Sequence, residues 1–157
     1  MHQTAGDCRL ILARISRINT VFLMLYEDLT EKIIHAAMEV HKTLGFGFLE
    51  AVYGNALYRE LKREGIKCEC QKSIDVYYKG EKVGHYIADM VVEDSVIVEL
   101  KAVKDLKQEH EWQLINYLKA CDMELGLLIN FGHSLKVKRK IFTEYPKVKR
   151  KNSDNPC

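Results

Sequence analysis

Apolar residues recur at helical intervals from residue 33, at Ile33, Ile34, Ala37, Val40 and Leu44, and Gly45 can close that helix. Asp28 and Glu31 stand before it at the spacing of a capping box, so the helix is expected to start there. After the Gly45-Phe46-Gly47 break a second helix is expected over about 48–64. Leu49, Val52, Tyr53, Ala56, Leu57 and Leu61 face inward on it, and Gly65 ends it. The period then changes to two. Ile66, Cys68 and Cys70 alternate with polar residues, and so in part do Ile74, Val76 and Tyr78. Residues 79–82 read as a hairpin turn. Strands follow over 83–92 and 96–103, joined at Glu93-Asp94-Ser95. A helix over about 105–121 carries Leu106, Leu114, Tyr117, Leu118 and Cys121 on one face. Residues 125–131 are almost uniformly apolar, as a central buried strand requires, and 135–142 reads as an edge strand.

Composition narrows the class. A chain of 157 residues is one domain's worth and buries an adequate core without staples. No run reaches the roughly 18 apolar residues of a membrane span, so no membrane partner is expected. The five cysteines contain no CxxC pair, which argues against a zinc ribbon or a disulfide framework and for a reducing, cytoplasmic setting. The folded domain is expected over 24–142. Residues 1–23, with Arg9, Arg14 and Arg17 among apolar residues, read as a disordered extension or an extra helix, and faintly as a transit peptide. Charge is divided. Residues 24–135 hold 13 basic and 19 acidic side chains, whereas residues 136–157 hold eight basic and two acidic ones. The basic tail over 143–157 and the run Lys136, Lys138, Arg139 and Lys140 can lie along a phosphate backbone, or can be a solvated terminus.

Several polar residues conflict with simple packing. Glu50 projects onto the apolar side of the second helix, where a carboxylate is costly unless paired or bound to a cation; the alternative is a rim glutamate whose head reaches water. If residues 93–95 form a three-residue loop, Asp89 opposes Glu99 on one sheet face, with Cβ atoms roughly 5 Å apart. The two charges then repel unless a divalent cation lies between them, and Mg²⁺ suits oxygen ligands. A register slipped by one separates them. Lys101 projects to the same face as Glu99 and can position a water or stabilise a phosphate oxygen, or can form only an intrastrand salt bridge. Gln113 and Tyr117 stand one turn apart at the edge of the buried face of the third helix, where they can hold a water, a phosphate oxygen or a base, or bond to backbone. His110 reads as a core-edge histidine more readily than as a ligand, and Trp112 points away.

The ordered series Glu50, Asp89, Glu99-Leu100-Lys101 and Gln113-Leu114-Ile115-Asn116-Tyr117 resembles the PD-(D/E)XK nuclease superfamily, and its QxxxY segment resembles the RecB-like branch. Gly47-Phe-Leu-Glu50-Ala-Val-Tyr53 is similar to the signature of the GxxExxY proteins. The resemblance spans about 25–142. It implies an α/β restriction-endonuclease-like core of αβββαβ order, with a mixed central sheet flanked by helices. It further implies Asp89, Glu99, Glu50 and the Leu100 carbonyl as Mg²⁺ ligands (Mn²⁺ substituting), and Lys101 as the catalytic lysine. Gln113 and Tyr117 become auxiliary residues, and Lys136, Lys138, Arg139 and Lys140 contacts to the strand. The expected activity is Mg²⁺-dependent hydrolysis of phosphodiester bonds in DNA. A non-catalytic nucleic-acid- or partner-binding module on the same fold is the alternative, favoured by the acidic body. Oligomeric state stays open, a homodimer included.

Overall fold

The computed structural model describes residues 5–121 and 123–142, with the backbone alone for residues 5–23 and Leu25. Eight elements follow in chain order: α1 Ala5–Leu44, α2 Glu50–Arg63, β1 Cys68–Tyr78, β2 Glu81–Val92, β3 Val96–Lys101, α3 Gln108–Ala120, β4 Leu125–Phe131 and β5 Leu135–Ile141. Two compact units divide within α1, residues 1–33 and residues 34–157. The first is helical. No Gly or Pro interrupts the sequence between Gly6 and Gly45, so nothing ends the helix at the expected start. Asp28 pairs instead with Lys32, one turn on, at 2.7 Å. Among the described residues no helix is long and apolar enough to cross a membrane. The basic stretch over 143–157 and the arginines of the N-terminal segment lie outside the described side chains.

The second unit is built on a five-stranded sheet in the order β1-β2-β3-β4-β5. β3 and β4 run parallel, joined through α3, and every other neighbouring pair is antiparallel. The near-uniform apolar sequence of β4 is explained by its central place, since all seven of its residues are buried. α3 lies over one sheet face, where Leu114, Tyr117 and Leu118 join Ile74, Ala88, Val91, Ile97 and Leu128 in one cluster. The approach is close: a Cβ on Gly126 would stand 2.7 Å from Leu114 Cδ1. α2 approaches β3, since a Cβ on Gly54 would stand 3.3 Å from Leu100 Cδ1. The inward stripe of α2 is Tyr53, Leu57 and Leu61 at strict four-residue spacing. Leu49, expected inside, is 78% exposed because it precedes the helix, and Val52 turns off the stripe.

The end of β3 is held by a side chain. Asn130, fully buried on β4, accepts a hydrogen bond from the Val103 N–H at 2.9 Å and donates to the Val103 carbonyl at 2.8 Å. Asn130→Ala leaves both backbone groups unpartnered, at about 1–3 kcal/mol each. We expect that variant to lose about 3 kcal/mol in denaturant unfolding; a loss below about 1 kcal/mol would show that water replaces the amide.

Candidate active site

The loop Glu93-Asp94-Ser95 turns tightly, with Glu93 and Asp94 both at φ 50. The register that follows is Val92↔Val96, Val91↔Ile97 and Met90↔Val98. There the ladder stops. The Leu100 N–H, which would otherwise look for a β2 carbonyl, donates to Asp89 Oδ2 at 2.8 Å. Asp89 therefore reaches β3 through a hydrogen bond to its backbone.

β2 is irregular at this point. Gln71, the β1 residue between those paired with Met90 and Ala88, has φ 53 and forms no ladder pair with Asp89. Ala88 and Val91 both belong to the cluster under α3, so the alternation of faces breaks across Asp89. Such irregularities re-aim side chains. Period-two reading of the sequence gives no sign of it.

Glu99 is only 2% exposed. Its Oε1 accepts a hydrogen bond from Lys101 Nζ at 2.9 Å. Its Oε2 is buried and has no partner. Burial, with the charge of Asp89, pushes the Glu99 carboxyl up to about 7 against the pull of Lys101. Burial alone would lower the Lys101 ammonium. Its hydrogen bond to Glu99 and the charges of Glu99, Glu50 and Asp89 outweigh that and raise it.

Glu50 joins from α2. Burial raises its carboxyl, and Asp89 adds to the rise, against the charge of Lys101 and a backbone hydrogen bond from Ala102. Its position is set by Tyr53, whose ring stacks on Phe131 with centroids 4.5 Å apart at 9°. The Tyr53 hydroxyl donates to the Gly45 carbonyl at 2.7 Å and accepts from the Phe48 N–H at 3.3 Å. That folds the Gly45–Phe48 turn onto the first turn of α2. Gly47, at φ 107, takes a conformation open to glycine and few others. The Gly, Glu and Tyr of the sequence motif are thus one device for placing a carboxylate.

Glu50, Asp89, Glu99 and Lys101 share one electrostatic neighbourhood. Gln113 and Tyr117 border it. The amide of Gln113 donates to the Tyr117 hydroxyl at 2.7 Å, and that hydroxyl is raised by burial and feels Glu99, Asp89 and Lys101. The basic residues of β5 are engaged elsewhere. Lys136 lies 3.5 Å from Asp105, while Lys138 and Lys140 both pair with Glu111 of α3. Arg139 alternates with them on the strand. His110 accepts from the Lys107 N–H through Nδ1 at 3.1 Å and caps α3, and Trp112 is 56% exposed. Sequence reasoning passed over Tyr86 on β2, whose ring centroid lies 5.3 Å from that of Tyr117. Its only signal was an aromatic three residues before Asp89.

Among the described residues no group of three or more His, Cys, Asp or Glu side chains is arranged to hold a metal by itself. One oxygen of Asp89 is spent on Leu100 and one of Glu99 on Lys101. The buried, unpartnered Oε2 of Glu99 and the free oxygen of Asp89 remain. Mg²⁺ is commonly held by one or two carboxylates, the rest of its shell being water and substrate phosphate, so this donor set fits it.

A mixed sheet flanked by helices, with two acids and a lysine at the open end of neighbouring strands, defines a restriction-endonuclease-like domain. Residues 27–142 match the PD-(D/E)XK nuclease superfamily, and the chain belongs to it. One solved structure, titled "Crystal structure of SSO0001", is similar at 19% identity and a TM-score of 0.49, over 60% of this chain and 50% of that one. The chain thus spans half the length of that protein. Among curated proteins none matches.

Proposed function

We propose that this chain is a Mg²⁺-dependent nuclease that hydrolyses phosphodiester bonds in DNA, of the GxxExxY kind within the RecB-like branch. The observation that carries the reading is Glu99, a buried carboxylate with one oxygen unpartnered, facing a lysine and within the field of Asp89 and Glu50. A folded chain gains nothing from such a group in isolation, since its burial opposes its charge. Asp89 and Glu99 would hold the metal, with Glu50 and the Leu100 carbonyl as the further oxygen donors beside them. Bound there, the metal makes its water more acidic and offsets charge on the phosphate.

The protein's own residues then orient. Lys101, charged at neutral pH, holds the attacking water by a hydrogen bond and stabilises negative charge on the phosphate oxygens. Gln113 and Tyr117 fix a phosphate oxygen or water at the rim. Lys136, Lys138, Arg139 and Lys140 draw the strand along β5, its phosphates competing with Asp105 and Glu111 for the lysines.

The second reading, a binding module without turnover, is favoured by the acidic body. One experiment separates the two. Purified protein is incubated with single- and double-stranded DNA in Mg²⁺, in Mn²⁺ and in EDTA. Nicking or shortening of either DNA in metal, absent in EDTA, is expected. Retarded but intact DNA in every metal condition supports the binding module.

A further inference from the structure

We infer that Tyr86 is a stacking platform for an unpaired nucleobase next to the reacting phosphate, so that the preferred substrate is a single strand. This rests on the nuclease reading above and names the substrate class of that site.

Tyr86 sits on the stretch of β2 before Asp89, where β3 has no partner for it, since β2 and β3 pair only over Met90–Val92. No strand of the sheet therefore stands beside Tyr86 on that edge. Tyr86 remains 41% exposed although its ring touches a buried aromatic. That neighbour is Tyr117, at a 52° tilt, so one part of the Tyr86 ring is braced while the rest meets solvent. Tyr117 in turn feels Glu99, Asp89 and Lys101, which sets the pair at the border of the reacting groups.

An aromatic face left partly open at the edge of a charged site can take another flat ring in a stack. A base offers one, and any base will do. A base inside a duplex has both faces covered by its neighbours, so it cannot present itself without being unstacked. The geometry thus selects against intact duplex without any hydrogen bond to a base edge. Tyr86→Ala removes the platform and its contact with Tyr117, Tyr86→Phe keeps both, and the Gln113–Tyr117 hydrogen bond involves no atom of Tyr86.

The test uses the full chain carrying Lys101→Ala, so that binding is read without cleavage, in Mg²⁺. Four probes of one sequence are titrated: single-stranded DNA and single-stranded RNA with 2-aminopurine at successive positions, and the two corresponding duplexes. In the Tyr86 parent, single strands are expected to bind more tightly than duplexes, with 2-aminopurine fluorescence quenched at one or two positions. Tyr86→Ala should weaken single-strand binding by roughly tenfold or more and abolish that quenching, while duplex binding stays within about twofold. Tyr86→Phe should bind as the parent does. Which single strand is bound more tightly identifies the source as DNA or RNA. Single-strand affinity unchanged by Tyr86→Ala overturns the inference, as does equal weakening of duplex and single strand. Should Tyr86→Ala unfold by circular dichroism, Tyr86→Leu, which keeps apolar bulk without a flat ring, is read in its place. Failure of the nuclease reading is separately visible as intact DNA with the wild-type chain in Mg²⁺ and Mn²⁺.

Discussion

Lys101→Ala is expected to reduce metal-dependent cleavage by about a thousandfold, with the loss in kcat rather than KM. The ammonium group is tied to Glu99 at 2.9 Å and made more basic by the acids around it, so it stays charged through the neutral range. A charge held in advance beside a developing oxyanion acts most strongly in the transition state, which is why kcat carries the effect. The fold survives the change because Glu99, already pushed up to about 7, can take a proton once its cation is gone. Steady-state kinetics on a labelled oligonucleotide, beside a circular dichroism spectrum, checks both halves. A fall of less than tenfold with an intact fold would remove Lys101 from the chemistry.

Asp89→Asn is expected to stabilise the metal-free protein at pH 8 and to cancel its response to Mg²⁺. Glu99 is raised from 4.5 to about 7 in the folded chain, a difference worth on the order of 3 kcal/mol. The sign follows from which state holds the proton. Below pH 4.5 both states are protonated and nothing is lost. Between 4.5 and about 7 the unfolded chain ionises first, so stability falls as pH rises, and above that range the loss is complete. After burial, the charge of Asp89 is the next cause of the rise, and Asn removes that charge while its amide oxygen can still accept from the Leu100 N–H. Thermal unfolding in EDTA should therefore show a higher midpoint for Asp89→Asn at pH 8 and little difference at pH 4. Added Mg²⁺ should raise the wild-type midpoint and leave the variant's unmoved. A variant less stable than wild type at pH 8 without metal would show that Asp89 contributes more as a backbone acceptor than it costs as a charge.

Much of this was legible in the sequence because the elements obey simple periods. β4 read as a buried central strand since all its positions are apolar, and Leu106, Leu114, Tyr117, Leu118 and Cys121 read as one helix face that the structure places in or against one cluster. The three-residue loop at 93–95 was a correct count, and from it came the register Val92↔Val96. What stayed hidden depends on contacts between distant segments. The start expected at Asp28 was overridden because a capping spacing cannot halt a helix that nothing interrupts. The break in alternation at Asp89 goes with its missing ladder pair on β1 and its side-chain bond to the Leu100 N–H of β3, to which local periodicity is blind. The partners of Lys136, Lys138 and Lys140 depend on how α3 lies against β5, so those side chains read as free cations until the fold is known.

The short overlap of β2 with β3 divides the long β1–β2 ribbon mechanically. β2 is clamped on both sides over Met90–Val92, and Ile74, Tyr86 and Ala88 pack against α3 or its cluster, whereas toward the Lys79-Gly80 tip the ladder of β1 with β2 is the sheet pairing that remains. Bending is therefore expected toward the tip, outside Ile74 and Tyr86, rather than at Asp89. Asp89, between Ala88 and Met90, is carried by the held part of the ribbon, so motion of the tip leaves its carboxylate in place.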